Sequence, residues 1–335
     1  MPNSMFAAPQ ERVAPENVIA SGSAMPVAGS QAFAEAAVRE DNVNPTPEAM
    51  LAAWPEATAK QWYKRLSPSS TIGMALIHGG CLLAFLAPFH WSQPVLALFL
   101  WWVCGGLGIC LCYHRLLTHK SFETYGWFRY FLAALGASSL EGGPIKWVGT
   151  HRIHHAHSDG PEDPHTPDHG FNWAHIWWAI VKDNPDRPAR NAAKDLQRDP
   201  VITLIDKWAW VPAVAIMVVV GVAGYLVFRN WQGAVGWIAW GVFIRTVFVY
   251  HATWFVNSAS HTWGYRNYET DDDSRNNWWV ALLSFGEGWH NNHHADQRSA
   301  AHGHKWYEID VTYLTIRALG LVGLAWDIKK PKNAA

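Results

Sequence analysis

Polar and apolar residues are mixed along most of this chain, but four stretches break the pattern. Residues 72–91, 95–113 and 208–228 contain no Asp, Glu, Lys or Arg, and 231–256 is interrupted only by Arg245. Each is about 19 residues or longer, enough for a helix rising 1.5 Å per residue to cross a hydrocarbon layer about 30 Å thick. The connections from Trp91 to Pro94 and from Arg229 to Trp231 are short enough only for hairpin tips. The pattern therefore predicts two helical hairpins that enter a bilayer from the same side.

Basic residues give the orientation, because Lys and Arg collect in cytoplasmic segments. Five precede residue 71, eleven lie in 114–207 and eight follow residue 256, leaving only Arg229 and Arg245 elsewhere. Both termini and the long middle segment are thus expected in the cytoplasm. A mean hydropathy of −0.07 would suit a soluble protein, but it averages polar ends with apolar spans. The composition agrees with a membrane chain: 22 Trp in 335 residues and only 16% charged residues, against about 25% in a soluble domain. A net charge of −1 offers no field for a nucleic-acid backbone, so none is expected as partner. Residues 1–45 read as a flexible tail without a secretory signal, giving a flexible segment 1–68 and a membrane domain 69–335. Cys81, Cys104, Cys110 and Cys112 all fall in the first hairpin, in neither a zinc nor a disulfide spacing, and read as apolar packing.

The 18 histidines are not scattered. Nine fall in four short sequences: His114-Arg-Leu-Leu-Thr-His119, His151-Arg-Ile-His154-His155, His261 in Asn257-Ser-Ala-Ser-His261, and His290-Asn-Asn-His293-His294. In an HxxHH helix, positions i+3 and i+4 fall about 60 and 40 degrees to either side of i, so three imidazoles share one face. His114 and His119, five apart, would lie about 140 degrees apart on an ideal helix and work best straddling a helix end. Asn257 and His261 are one turn apart. All four sequences lie at or beyond the cytoplasmic end of a span, where bundling would gather them.

Imidazole suits zinc, copper, iron and nickel alike, so ligand type does not choose the metal. Nine imidazoles exceed the needs of one tetrahedral ion and suit two larger shells, for which two irons are the best match. A carboxylate-rich bundle is the rival, since Glu-x-x-His occurs as Glu162-Asp-Pro-His165 and Glu287-Gly-Trp-His290. Pro164 and the glycines at 286 and 288 disfavour it. Glu287, Glu162 and Asp163 fit better as acceptors that orient ligand imidazoles.

At these residues the chain resembles the membrane-bound fatty acyl desaturases, specifically their Δ9 branch, which includes stearoyl-CoA desaturases and cyanobacterial acyl-lipid desaturases. The resemblance runs from about residue 72 to 326. It is most specific at Gly-Pro-Ile-Lys-Trp-Val-Gly-Thr-His151, Trp254-Phe-Val-Asn-Ser-Ala-Ser-His261 and Gly286-Glu-Gly-Trp-His-Asn-Asn-His-His294. Histidine-box hydroxylases and ketolases are similar in the boxes alone; the Asn-Ser-Ala-Ser-His segment separates them.

The resemblance implies an all-α membrane fold, with four spans in two hairpins and a helical cytoplasmic cap. It implies a diiron centre held by His114, His119, His151, His154, His155, His261, His290, His293 and His294, with Asn257 acting through a water. The implied reaction uses molecular oxygen and two external electrons to place a cis double bond in a saturated acyl chain. The tunnel of related desaturases bends at a Trp, a Thr and a Gln. The first two match Trp147 and Thr253, whereas the third position here is Glu141, a carboxylate that needs a proton or a partner beside an acyl chain. Ile109 is a candidate floor of the tunnel.

Animal acyl-CoA enzymes carry Arg-Asp immediately before the second box, where this chain has Gly149 and Thr150. The missing pair favours a lipid-bound acyl substrate over acyl-CoA. No His-Pro-Gly-Gly signature of a fused b-type cytochrome is present, so the electron donor is expected to be a separate ferredoxin or cytochrome. The expected location is a bacterial inner membrane. A hydroxylase that stops after the first hydrogen abstraction and a non-catalytic membrane metal protein are the alternatives. Arg245, costly in lipid, is expected to find a partner inside the bundle or at an interface.

Overall fold

The computed structural model describes residues 62–182 and 188–332. Most of the segment 1–68 expected to be flexible lies outside these residues. The described residues are helical, with isolated backbone pairings such as Leu66 with Val181 and Glu123 with Trp326 in place of strands.

Four helices are long and apolar enough to cross a bilayer: α1 (Pro68–Leu86), α2 (Ser92–Thr118), and the later pair Val211–Phe228 and Trp231–His261. Between the pairs lie α3 (Gly126–Ala137) and α4 (Pro144–His157). We call the second pair α5 and α6, and two later helices α7 (His290–Ala295) and α8 (Val311–Leu321).

The sequence explains where these helices start and turn. Ser67 caps α1, accepting from the Ser70 amide, and Pro68 occupies the first turn, where its missing N–H costs nothing. Arg229 ends α5 in a left-handed conformation, and the Asn230 side chain then accepts from the Gly233 amide to start α6. The tips of the two hairpins are tied together where Trp237 Nε1 donates to Ser92 Oγ at 2.9 Å.

The helices run past the apolar stretches on the side that carries the histidines. Expected to end at 113, α2 continues to Thr118 and includes His114; expected to end at 256, α6 reaches His261. A hydropathy window stops at the first polar residue, but these polar residues are buried and their backbone remains helical. Toward the tip, α1 starts and stops earlier than the 72–91 stretch, because Ala87 turns extended.

Arg245 is 1% exposed within α6. Its guanidinium donates to the carbonyls of Gly241 at 3.2 Å and Ser138 at 3.1 Å. Ser138 closes the C-terminus of α3, where carbonyls lack helical partners and the helix dipole favours a cation. The costly charge thus has a structural place, and it ties α6 to the loop leading into α4.

Candidate metal centre

All four histidine sequences meet. His114 and His119 come from the end of α2, His151, His154 and His155 from α4, His261 from the end of α6, and His290, His293 and His294 from α7. Their ring nitrogens form a group of five, His114, His119, His151, His155 and His293, and a group of four, His154, His261, His290 and His294. Within each group the ligand atoms lie within 4.8 Å of one another.

Local winding solves the spacing problem in the first sequence. From Trp102 to Thr118 the helix has π-type turns, and the His119 amide donates to the His114 carbonyl five residues back at 3.2 Å. An i+5 repeat stacks residues that an α-helix would separate, and the two rings lie 4.8 Å apart. His119 also occupies the end of the helix, as the spacing suggested. In α4, Pro144 opens the helix and the Asp206 carboxylate accepts from the Ile145 amide at 2.9 Å, fixing the end from which the HxxHH face projects.

Carboxylates set the tautomers. Nδ1 of His114 lies 2.5 Å from Glu287, that of His154 2.8 Å from Asp163, that of His261 2.9 Å from Asp159, and that of His294 2.5 Å from Asp272. An ionised carboxylate only accepts, so each Nδ1 carries the proton and each Nε2 presents a lone pair. These lone pairs point at other imidazoles: His114 to His293 at 3.1 Å, His154 to His294 at 3.3 Å, and His261 to His290 at 3.0 Å. Two neutral rings whose Nδ1 protons are both committed cannot hydrogen-bond through Nε2, so the His154–His294 approach fits a shared cation, either a metal ion or a proton on His154. Ligand nitrogens about 2.0–2.1 Å from a shared ion at ordinary coordination angles would sit about 3 Å apart. His119 Nε2, His155 Nδ1, His290 Nδ1 and His293 Nδ1 are buried without a hydrogen-bond partner among the described residues. The donor set therefore fits metal ions.

The electrostatics favour the neutral ring at four of these histidines and the charged ring at His154. Burial, reinforced by neighbouring imidazoles, pushes the His151, His155, His290 and His293 rings well below the ordinary histidine range. Burial also opposes the charged form of His154, but Asp163 outweighs it and raises that ring. Asp163 and Asp272 feel burial in the opposite sense, yet their histidine partners hold both below the usual carboxylate range.

Of the three carboxylates singled out in the sequence, Glu287 and Asp163 each contact a ring of the two groups. Glu162 does not reach a ligand: it pairs with His157 at 3.0 Å, outside both groups. The ferritin-like alternative is not built, since Glu287 bonds His114 rather than His290, and Glu162 to His165 runs through turns. Sequence reasoning missed Asp159, in a turn at φ 60°, and Asp272, far along the chain in an acidic run. It also missed Arg115, 0% exposed, which clamps Glu287 at 2.9 Å and Asp310 at 2.8 Å. His302, left open on sequence alone between a supporting and a surface role, lies 3.1 Å from Glu287 and stacks on His293. The one available signal was Arg115 beside His114, a charge inside an otherwise apolar helix.

A cavity of about 420 Å³ leads to the histidines, with Glu141, Trp147, Tyr250, Thr253 and Trp254 in its walls and His151 and Asn257 at its inner part. Trp147, His151, Thr253 and Asn257 also line a further space of about 40 Å³, together with Ile109, Cys110, His114, Ser284 and His290. Glu141, Trp147 and Thr253 line the larger space and Trp147, Thr253 and Ile109 the smaller, and the two share His151 and Asn257. The Glu141 carboxylate joins two of the tunnel candidates, accepting from Trp147 Nε1 at 3.0 Å and from Thr253 Oγ1 at 2.9 Å. Burial pushes its carboxyl up to about 7.

The sequence profile of the fatty acid desaturase family matches residues 89–318. An sn-1 stearoyl-lipid 9-desaturase of Anabaena variabilis is 47% identical over 254 residues, covering 76% of this chain and 90% of the relative. An sn-2 palmitoyl-lipid 9-desaturase of a Nostoc species is 44% identical over 252 residues, 72% of this chain and 84% of the relative. An icosanoyl-CoA 5-desaturase of Limnanthes douglasii is 38% identical over 282 residues, 82% of this chain and 76% of the relative.

Proposed function

The chain belongs to the fatty acid desaturase family, and from that premise we propose that it places a cis double bond at carbon 9 of a saturated acyl chain carried by a membrane lipid. As a desaturase it is an oxidoreductase. The observation that carries the reading is the pair of histidine groups facing the joint of the two cavities.

The group of five, His114, His119, His151, His155 and His293, would hold one iron; His154, His261, His290 and His294 would hold the other, with Asn257 acting through a water. When bound, the two irons supply the redox chemistry: one molecule of oxygen, two electrons and two protons take two hydrogens from adjacent methylenes, yielding a double bond and two waters. The protein's own residues do the rest. Glu287, Asp163, Asp159 and Asp272 hold the Nδ1 protons, leaving Nε2 for the metals. Trp147, fixed by Glu141, and Thr253 shape the bend that selects one methylene pair among chemically similar neighbours. Ile109 and Cys110 close the far end and set how much chain extends past the site.

A lipid-bound acyl group is supported by the two relatives named as lipid 9-desaturases and by Gly149. A Cβ there would lie 1.8 Å from the Ala189 carbonyl oxygen, so the backbone leaves no room for the arginine of the acyl-CoA pattern. Electrons come from a separate ferredoxin or b-type cytochrome. Both termini and the metal centre face the cytoplasm, as the basic residues indicate, in a bacterial inner membrane. Expression in a host with a compatible donor, followed by location of new double bonds, tests the reading. Double bonds at carbon 9 support it, and a hydroxylated product or no product overturns it.

A further inference from the structure

The wide cavity is not walled on all sides by the helices that carry the histidines. One side is α1, through Ser70, Gly73, Met74 and Ile77. These positions recur at i, i+3, i+4 and i+7, a single helical face. The Pro68–Gly80 part of α1 buries none of its residues.

Contacts along this face are uneven. At Gly80 the helix touches α6 so closely that a Cβ would lie 2.2 Å from the Phe243 ring. Seven residues earlier, about 10 Å along the axis, a Cβ on Gly73 would meet nothing within 4 Å. Nearer the metal-bearing side the chain is tied again, where the Ser67 amide donates to the Ile180 carbonyl at 2.8 Å and Leu66 pairs with Val181. The helix is thus pinned at both ends of an opening whose inner wall includes Tyr250 and Trp254. At its rim Leu76, which also lines the cavity, and outside it Ile72 are exposed, continuous with the apolar surface that a bilayer would cover.

We propose that this framed slit beside Gly73 is a lateral door, through which an acyl chain still esterified to a bilayer lipid slides into the tunnel. The inference deepens the proposed function and rests on it. An acyl chain entering here never crosses water, and its glycerol ester stays at the level of Ser69, Ser70 and Lys146, the polar end of the opening. An apolar chain leaving lipid for an apolar tunnel has little transfer energy to gain. The geometry of the door, more than affinity, would therefore decide which chains enter.

Gly73 and Gly79 make a controlled pair. Both lie on α1 with nothing within 4 Å of a Cβ, but only Gly73 lines the cavity. A side chain can leave the helix at either position without meeting a neighbour at its Cβ, and losing a helical glycine favours the helix. Full-length wild type, Gly73→Trp, Gly79→Trp and Gly73→Ala are compared in expressing membranes for double bonds formed in phospholipid acyl chains, at matched iron per chain. Gly73→Trp should lose about tenfold or more of the rate and Gly73→Ala, with its far smaller side chain in the slit, less than Gly73→Trp, while Gly79→Trp stays within about twofold of wild type. Equal rates in all four overturn the door, and so does equal loss at Gly73 and Gly79, which would mark a general effect on α1. A wild type that forms no double bond instead refutes the proposed function itself.

Discussion

His154 Nε2 and His294 Nε2 face each other at 3.3 Å, although the Nδ1 of each ring is already committed to a carboxylate, Asp163 and Asp272. Two lone pairs this close repel unless they share a cation, and the carboxylates behind them make that orientation a standing property of the fold.

Replacing either carboxylate by its amide tests this arrangement. Asp272→Asn lets the side chain rotate and offer an N–H to His294, favouring the wrong tautomer. We expect a fall of about 10- to 100-fold in metal affinity, read by titrating metal into the apoprotein. Unchanged affinity in both Asp272→Asn and Asp163→Asn would remove the orienting role.

Arg115 tests the support beneath the site. It is buried against Glu287 and Asp310, and Arg115→Met would leave two buried carboxylates without their cation. Breaking such a pair costs about 3–5 kcal/mol, so thermal unfolding in detergent should begin at clearly lower temperature. A melting curve that overlays wild type would contradict the structural account of this charge.

Glu141 gives a pH dependence. Its folded pKa, pushed up to about 7, lies above its ordinary value of 4.5. The folded state therefore holds the proton more tightly than the unfolded chain does. Stability from the neutral carboxyl is fully present below about pH 4.5 and is lost as pH rises through about 7. Relative to Glu141→Gln, wild type should melt progressively lower as pH rises from about 4.5 to about 7 and level off above that. A difference that does not change with pH would show that ionisation of this group does not matter.

Ile109 reports on the closed end of the tunnel. Removing its side chain enlarges the 40 Å³ space it lines, so Ile109→Ala should shift products toward longer acyl chains, measured as the ratio of 18- to 16-carbon products. An unchanged ratio would place the floor elsewhere.

The four spans and the nine histidines were legible because each has a strong local signal: absence of charge over a membrane's thickness, and imidazoles at helical spacing. What stayed hidden depends on contacts between distant segments. Asp272 reaches His294, and Asp159 reaches His261 across 102 positions, and no local period marks either. Glu162 misled for the opposite reason: its place beside Asp163 suggested a shared role, but the turn sends it to His157. The spacing of His114 and His119 looked awkward only on an ideal α-helix, which the π-type turns replace.

The most direct test of the dinuclear reading is the metal content of the full-length chain, purified in mild detergent from iron-replete cells. We predict two irons per polypeptide, falling toward one or fewer in His155→Ala and in His261→Ala, which remove one ligand from each group. A single metal ion per chain, or stoichiometric zinc that iron does not displace, would contradict it.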